Sequence, residues 1–318
     1  MEVIRSLTEL PDLKGSVVTI GSFDGIHRGH QALLAETVEH ARKLNLPSVV
    51  LTFDPHPQQI LRPSERRPIR ILMGIDEKAE LISRYAEMDF LLVLRFDERF
   101  ARQTAREFLQ EILLGTLYVK HVVVGYDHRF GHDREGNAEW LAEQGEAFGF
   151  GVSQVGPIKN ETLPVSSTLI RDHIQDDRLD LANAMLGHPY TVFGQVVVGK
   201  QRGRTLHFPT ANVEPETGNK LIPNRGVYLT RVRLQGDLYF GMCNIGVRPT
   251  FDNGQETIEV HLFDWPVERG DFYQETIMIE FLQKLRDEKK FKNVNELTEQ
   301  LDNDKKTCLA IIDNYREI

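Results

Sequence analysis

The sequence predicts two domains: an α/β domain built on a parallel sheet, then an antiparallel β-barrel or sandwich followed by a C-terminal helix. The chain has 318 residues, which is more than one hydrophobic core usually organises. Strand-like and helical segments alternate in the first half, whereas strand-like segments follow one another in the second. The pattern changes at the breakers Gly187 and Pro189, which predicts domains over residues 1–186 and 187–318.

The first half is predicted to form a parallel sheet covered by helices on both faces. Its strand-like segments are nearly all apolar and β-branched, as in strands buried on both sides. They are Ser16–Ile20, Ser48–Phe53, Phe90–Phe96, His121–Gly125 and Gly151–Val155. The spacing of apolar residues predicts helices over Gln31–Leu44, Asp76–Tyr85, Thr104–Leu114, Gly136–Phe148 and Thr168–Gln175.

The second half is predicted to be a barrel or sandwich of short strands separated by turns. The predicted strands are Thr191–Val198, Gly226–Arg233, Leu238–Ile245, Thr257–Phe263 and Glu275–Phe281. Asn295–Tyr315 has helical spacing and ends the chain. Its predicted apolar stripe consists of Leu297, Leu301, Leu309 and Ile312.

Composition limits the function classes. Apolar residues make up 41% and charged residues 27%, which is typical of a globular protein. The net charge of −9 argues against a large nucleic-acid footprint, and no apolar stretch approaches the ~18–20 residues that span a bilayer. Two cysteines, Cys243 and Cys308, are too few for a disulfide framework. We therefore expect a cytoplasmic protein with neither nucleic-acid nor membrane partners.

The segment GSFDGIHRGH follows the first predicted strand and leads into a helix. A glycine-bearing loop at this position is a natural phosphate site, because backbone N–H groups and the helix dipole favour negative charge. His27 and His30 flank Gly29, so both imidazoles can face one phosphate and donate to oxygens on which charge develops. The loop has neither the Walker P-loop pattern nor the dinucleotide-binding glycine pattern.

A second segment, SSTLIR, is predicted to begin another helix. The hydroxyls of Ser167 and Thr168 can cap that helix or hold a phosphate, and Arg171 is a bidentate phosphate donor. A plain helix cap with a surface arginine is the alternative interpretation.

The second half contains GKQRGRTLHFPTAN, which is predicted to be a loop over phosphates that leads into a Pro-Thr-Ala-Asn turn. The oxygens of Thr210 and Asn212 can share one Mg²⁺ with phosphate oxygens. Glu259 lies in IEVHL, where period-2 alternation points it away from the apolar face. A carboxylate there could accept the proton of an attacking hydroxyl. A basic hairpin and a solvated glutamate are the alternatives.

The first domain resembles the nucleotidyltransferase superfamily with its Rossmann-like sheet, because GSFDGIHRGH and SSTLIR match its HxGH and ISSTxIR motifs. TFDPHP and VGYDHRFGHDREGN narrow the resemblance to the FMN adenylyltransferase module of bacterial bifunctional FAD synthetases. The resemblance implies that His27 and His30 are catalytic and contact ATP phosphates. It implies further ATP contacts from Gly21, Phe23, Asp24, Gly25, Gly29, Ser167, Thr168 and Arg171, and a flavin pocket with Phe53, Pro55, His56, Pro57, Asp127 and Arg129.

The second domain resembles riboflavin kinase, a six-stranded barrel with one long C-terminal helix. The matching segments are GRTLHFPTAN, GVY, NIGVRPTF, IEVHLFD and FLQKLRDEKKF. The resemblance implies that Glu259 is the catalytic base, that Thr210 and Asn212 bind Mg²⁺, and that the ATP phosphates meet Gly199, Lys200, Gly203 and Arg204. His207 departs from the pattern, which has glycine at this position.

The two resemblances together predict a bifunctional enzyme with riboflavin, FMN and ATP as substrates and FMN and FAD as products. The barrel would phosphorylate riboflavin, and the first domain would adenylylate FMN and release pyrophosphate. One alternative is a nucleotidyltransferase for another phosphate acceptor, with a non-catalytic flavin-binding barrel. Another is a flavin-binding sensor without catalysis.

Overall fold

The chain forms two compact units. The structure, a computed structural model, describes residues 1–61, 68–160, 163–198, 210–247, 256–266 and 273–315. The first unit comprises Met1–Ile71 and Ile75–Ser167, and the second comprises Leu72–Gly74 and Thr168–Ile318. This geometric division does not test the predicted functional boundary between residues 186 and 187, which stays a prediction.

The first unit contains the predicted parallel sheet, with the spatial order β1-β4-β3-β2-β5-β6. All neighbouring strands in it are parallel. The strands are β1 (Glu2–Ile4), β2 (Ser16–Ile20), β3 (Ser48–Asp54), β4 (Phe90–Arg95), β5 (Val119–Gly125) and β6 (Gly151–Val155). β1 was not predicted, because three residues are too few to show a period.

Helices surround this sheet, and most lie where the apolar spacing predicts them. They are α1 (Arg28–Leu44), α2 (Pro57–Leu61), α3 (Ile75–Tyr85), α4 (Glu98–Ala101), α5 (Ala105–Phe108) and α6 (Ala138–Phe148). The single helix predicted over Thr104–Leu114 is wrong in detail. A capping box of Thr104 and Glu107 starts α5, and Leu109–Leu114 continues it as a π-helix. A short hairpin, β7 (Lys159–Asn160) with β8 (Leu163–Pro164), precedes the second unit.

The second unit contains a closed barrel with the strand order β10-β13-β12-β11-β14-β9, which confirms the predicted antiparallel architecture. Its strands are β9 (Tyr190–Val197), β10 (Ala211–Pro215), β11 (Gly226–Leu234), β12 (Asp237–Val247), β13 (Glu256–Leu262) and β14 (Thr276–Arg286). The turn predicted to include Ala211 and Asn212 is wrong, because both residues belong to β10. Pairing with β9 and β13 determines this strand, and such pairing is invisible to local turn chemistry.

Among its described residues, the second unit contains the helices α7 (Ser167–Gln175, from Thr168 onward), α8 (Leu179–Leu186) and α9 (Val294–Ile311). α9 covers one side of the barrel, where Cys308 lies in a core cluster with Leu229 and Leu282. The predicted stripe is wrong at Leu309, which is 50% exposed. Cys308 lies on the buried face instead, on the same side of the helix as Leu301 and Ile312, whereas Leu309 is one residue, about 100°, further round the helix. None of the helices in the described ranges has the length and apolar character that crossing a bilayer requires.

An ion pair ties α9 to the barrel. The Arg286 guanidinium on β14 donates from Nε and Nη2 to the carboxylate of Asp304, with the shortest distance 2.7 Å. The Asp304 side chain is 5% exposed, and Gln300 donates to it at 2.9 Å. Removing one partner of a buried pair leaves the other charge without compensation.

We expect Asp304→Ala to lower the free energy of unfolding of the second unit by about 2–4 kcal/mol. The exposed Asp302 on the same helix is the matched control, and Asp302→Ala should change stability by less than about 0.5 kcal/mol. Denaturant titration of Trp265 fluorescence in a Trp140→Phe background reports this unit. Equal effects of the two substitutions would contradict a stabilising role for the pair.

Candidate functional site

The histidine motif lies at the carboxyl edge of the parallel sheet, where the strand order reverses. β3 pairs with one side of β2, and β5 pairs with the other. Such a reversal in an open α/β sheet leaves a crevice outside the carboxyl ends of the two strands. The segment Gly21–His30 leaves β2 at this edge, and the segment that carries Asp127 and Arg129 leaves β5. The topology therefore brings two separately predicted segments to one crevice.

The backbone between β2 and α1 takes a left-handed path at three positions. The angle φ is 47° at Phe23, 99° at Gly25 and 41° at Ile26. Phe23 and Ile26 are fully buried, so the side chains of the strained residues are anchored in the core. Their packing holds the loop on a path that an unanchored chain would not populate.

His27 and His30 form a stacked pair at the N-terminus of α1. The helix begins at Arg28, earlier than the predicted Gln31, because His27 serves as its N-cap. Nδ1 of His27 accepts a hydrogen bond of 3.3 Å from the backbone N–H of His30. The ring centroids lie 3.6 Å apart, and a Cβ at Gly29 would lie 3.2 Å from the His27 ring. Glycine therefore leaves room for the pair.

His30 is held in its uncharged form. Burial lowers the pKa of His30 well below its usual value, and the charges of His27 and Lys78 lower it further. Nδ1 of His30 is buried and has no hydrogen-bond partner among the described residues. An unsatisfied ring nitrogen beside a helix N-terminus is suited to a polar ligand group, and helix N-termini attract phosphate. The loop is thus a candidate phosphate site.

The second predicted phosphate segment meets this loop through Ser167. Its hydroxyl donates a 2.7 Å hydrogen bond to the backbone carbonyl of Asp24, whose side chain is buried. Thr168 is exposed and Arg171 is buried, and both belong to the second unit. Their action on the same phosphates as His27 and His30 stays a prediction.

The residues predicted for the flavin side leave β3 and β5. Pro55, His56 and Pro57 are partly buried, whereas Asp127 and Arg129 are exposed. Nδ1 of His56 accepts a 3.2 Å hydrogen bond from the backbone N–H of Gln58. Sequence spacing could not show how these residues are oriented, and their contact with flavin stays a prediction.

Phe53 belongs to an aromatic cluster that the sequence did not reveal. Neighbouring ring centroids lie 5.5–6.1 Å apart in a cluster of Phe53, Phe96, Phe100, Phe108, Phe130 and Trp140. His128 stacks on Phe130 at 5.7 Å. The members come from segments far apart in the sequence, so no local period could have predicted the cluster.

His128 is an unusual member of this neighbourhood. Burial lowers the pKa of its imidazole to about 4. Its Nε2 is buried and has no hydrogen-bond partner among the residues that the structure describes. A histidine in such surroundings stays neutral, because protonation would place an uncompensated charge beside apolar rings.

In the second unit, strand register places two predicted residues opposite each other. Asn212 on β10 pairs with Glu259 on β13, and Glu259 pairs in turn with Asn244 on β12. Directly paired residues project from the same face of a sheet. Asn212 is buried and Glu259 is partly buried. Three side chains with oxygen atoms therefore share one face of the barrel. Asn244 belongs to the segment NIGVRPTF, and its local pattern predicts no role for it.

Thr210 lies directly before β10 and is partly buried. The other residues predicted for this phosphate site lie outside the described residues, as does the departure from the family pattern. They are Gly199, Lys200, Gly203, Arg204 and His207. Register brings Asn212 and Glu259 to the same face of the barrel. The predicted metal and base roles, like the glycine-rich part of the site, stay predictions.

Two family models match the chain in the predicted order. The model described as FAD synthetase matches residues 9–169, and the model described as riboflavin kinase matches residues 186–312. The first covers the sheet with the histidine loop, and the second covers the barrel with α9.

Two curated relatives that match nearly the whole chain are described as "Bifunctional riboflavin kinase/FMN adenylyltransferase". The Haemophilus influenzae protein is 36% identical over 99% of this chain and 100% of its own length. The Escherichia coli K12 protein is 38% identical over 96% of this chain and 95% of its own. A solved structure described as a macrolide-efflux protein from Streptococcus pneumoniae has a TM-score of 0.83 and 34% identity, and covers 96% of this chain and 98% of its own.

The depressed pKa of His128 predicts a pH-dependent stability of the first unit. Its pKa is about 4 when folded and about 6.5 when unfolded. Above pH 6.5 neither state binds the proton; between pH 6.5 and 4 only the unfolded state does, so stability falls as the pH falls. The free energy of unfolding should fall between pH 7 and pH 5 in the parent protein. We expect this fall to be smaller by about 1–2 kcal/mol in His128→Phe.

Trp140 fluorescence in a Trp265→Phe background measures this unfolding, since Trp140 lies in the aromatic cluster. The exposed His132 in the same segment supplies the control His132→Phe, which should not reproduce the effect of His128→Phe. An identical pH slope in the parent and His128→Phe proteins would refute the assignment.

Proposed function

Because the chain belongs to the family of bifunctional riboflavin kinases/FMN adenylyltransferases, we propose that its two sites act in succession on one flavin. The barrel domain phosphorylates riboflavin to FMN, and the first domain converts FMN to FAD. The adenylyltransferase assignment rests on the stacked His27 and His30 at a helix N-terminus. The register of Asn212 with Glu259 supports the kinase assignment.

In the first domain, an FMN phosphate oxygen attacks the α-phosphorus of ATP. The bond between the α-phosphorus and the bridging oxygen breaks, and pyrophosphate leaves without a covalent enzyme intermediate. We propose that His27, His30 and the backbone N–H groups of Gly21–Gly29 contact the phosphates on which charge develops. Preorganised donors of this kind stabilise a transition state more than a ground state, because they need no rearrangement during the reaction.

For that attack, FMN must bind in the same crevice as ATP, at the carboxyl edge of the parallel sheet. We propose that the segments after β3 and β5 bind it, through Phe53, Pro55, His56 and Pro57 and through Asp127 and Arg129. The aromatic cluster behind Phe53 supports this proposal, since it supplies a rigid apolar base of the kind that planar ring ligands occupy.

In the barrel domain, the terminal ribityl hydroxyl of riboflavin attacks the γ-phosphorus of ATP, and ADP leaves. Glu259 accepts the hydroxyl proton as general base. Lys200 and Arg204 are proposed to meet the phosphates, with Gly199 and Gly203 allowing close backbone approach. Positioning and charge compensation supply most of the catalysis in phosphoryl transfer.

The donor set on the barrel suits magnesium. Asn212 and Thr210 offer hard oxygen ligands, and the carboxylate of Glu259 lies across the strand pair from Asn212. We propose that Thr210 and Asn212 hold Mg²⁺ together with the ATP phosphates. When bound there, Mg²⁺ would neutralise part of the phosphate charge. We also place the protein in the cytoplasm, in keeping with its two free, buried cysteines.

The two activities should be separable by substitution. We expect His30→Gln to lower kcat for FAD formation from FMN by about 10²-fold or more and to leave riboflavin phosphorylation within about twofold. Glu259→Gln should do the reverse. Chromatographic measurement of FMN and FAD formed from riboflavin and MgATP reports both steps in one reaction.

The exposed His132 and Glu256 supply controls, and His132→Gln and Glu256→Gln should keep both activities. Absence of both products with the parent protein would favour a flavin-binding sensor. FAD formation from FMN without riboflavin phosphorylation would indicate a non-catalytic barrel, and adenylylation of a different phosphate acceptor would indicate the other nucleotidyltransferase.

Magnesium binding can be tested apart from turnover. We expect Asn212→Ala to weaken Mg²⁺-dependent ADP binding about tenfold or more in calorimetry, because one ligand is lost from a site with few protein ligands. Glu214 is an exposed residue on the same strand, so Glu214→Ala should bind as the parent protein does. Unchanged binding by Asn212→Ala would exclude Asn212 as a ligand.

A further inference from the structure

A lysine is buried beside the histidine loop. Lys78 lies on the inner side of α3 and is only 4% exposed, with Leu81 and Ile82 of the same helix also buried. An ammonium group is expensive to remove from water unless it is hydrogen-bonded. A buried lysine at this position therefore needs hydrogen-bond acceptors for its ammonium group.

The ammonium group of Lys78 joins three elements at the carboxyl edge of the sheet. Its Nζ donates to the backbone carbonyl of Ser22 at 2.7 Å and to Oγ1 of Thr52, on β3, at 3.0 Å. The Thr52 hydroxyl donates in turn to the same Ser22 carbonyl at 3.2 Å. Two donors, one of them charged, thus fix the orientation of a single peptide group.

That peptide group is where the loop departs from ordinary backbone geometry. Ser22 directly precedes Phe23, the first residue with positive φ, and the loop continues through Gly25 and Ile26 to the histidines. The Phe23 ring contacts the His30 ring, with centroids 5.1 Å apart. The orientation of the Ser22 carbonyl is therefore coupled through Phe23 to the placement of His30.

The charge of Lys78 also acts on His30. The pKa of His30 is lowered first by burial, then by His27 on the same loop and then by Lys78 on α3. The lysine thus helps to keep His30 neutral. Its positive charge also lies beside a loop built to receive phosphates, where low local dielectric strengthens the interaction.

We propose that Lys78 is a positioning residue for adenylyl transfer: it fixes the Ser22 carbonyl, and with it the loop that presents His27 and His30 to the phosphates. The inference rests on the proposed adenylyltransferase activity and adds a residue to it. Lys78 acts through the loop, because its ammonium already donates to the protein's own oxygens.

Three substitutions at Lys78 separate its donors from its charge. Lys78→Met keeps the length and removes both, Lys78→Gln keeps an N–H donor without the charge, and Lys78→Arg keeps both. Lys43 of α1 is exposed and forms an ion pair with Glu39, so Lys43→Met is a matched control outside the loop.

We expect Lys78→Met to lower kcat for FAD formation at least 30-fold, with KM for FMN changed by less than threefold. Lys78→Gln should lower kcat for FAD formation by less than Lys78→Met does, and Lys78→Arg should keep much of the parent rate. Riboflavin phosphorylation by the same preparations should stay within twofold, which shows that the barrel domain is folded. Lys43→Met should match the parent protein in both reactions.

Titration of His30 by NMR gives a readout that turnover does not. The pKa of His30 should rise in Lys78→Met and Lys78→Gln, because the nearby positive charge is gone, and should stay near the parent value in Lys78→Arg. A folded Lys78→Met variant with the parent rate of FAD formation, or an unshifted His30 titration in both neutral variants, would overturn the proposal. Failure of the parent protein to make FAD would instead overturn the proposed function, and the titration result would remain interpretable.

Discussion

The first site depends on one backbone constraint, the left-handed path that joins β2 to α1. Phe23 and Ile26 accept positive φ because their side chains are fully buried, so core packing stabilises a conformation that the backbone alone disfavours. This path places His27 at the N-cap and His30 in the first helical turn, where the two rings stack at the N-terminus of α1. The geometry of the loop therefore follows from how its apolar residues pack.

The two units build phosphate chemistry on different scaffolds. The parallel sheet uses its carboxyl edge, where consecutive loops meet because all strands point the same way. In the barrel, the pairing register of β10, β13 and β12 places Asn212, Glu259 and Asn244 side by side on three neighbouring strands. The first arrangement presents backbone donors and a helix dipole. The second presents a carboxylate with amide oxygens, the groups that the proposed proton transfer and Mg²⁺ binding would use.

Local sequence rules succeeded where one segment determines its own structure. The buried strand Ser16–Ile20 lies at the predicted residues, because an apolar, β-branched run of this length is stabilised when both of its faces are covered. The rules failed where pairing or packing with a distant segment determines the structure. Ala211 and Asn212 form a strand because they pair with β9 and β13, and Cys308 rather than Leu309 lies on the face of α9 that meets the barrel. Neither partner is visible in the local residue pattern.

Residue type, period and spacing along the chain were enough to predict the fold class, the order of the two domains and the candidate motifs. The electrostatic state of individual groups, such as the neutral His30, depends on the folded structure. The folded structure also brought Lys78 of α3 to the Ser22 carbonyl and assembled the aromatic cluster behind Phe53. The reason is physical: desolvation, hydrogen bonding and ring packing depend on neighbours in space, and those neighbours come from segments that no sequence period connects.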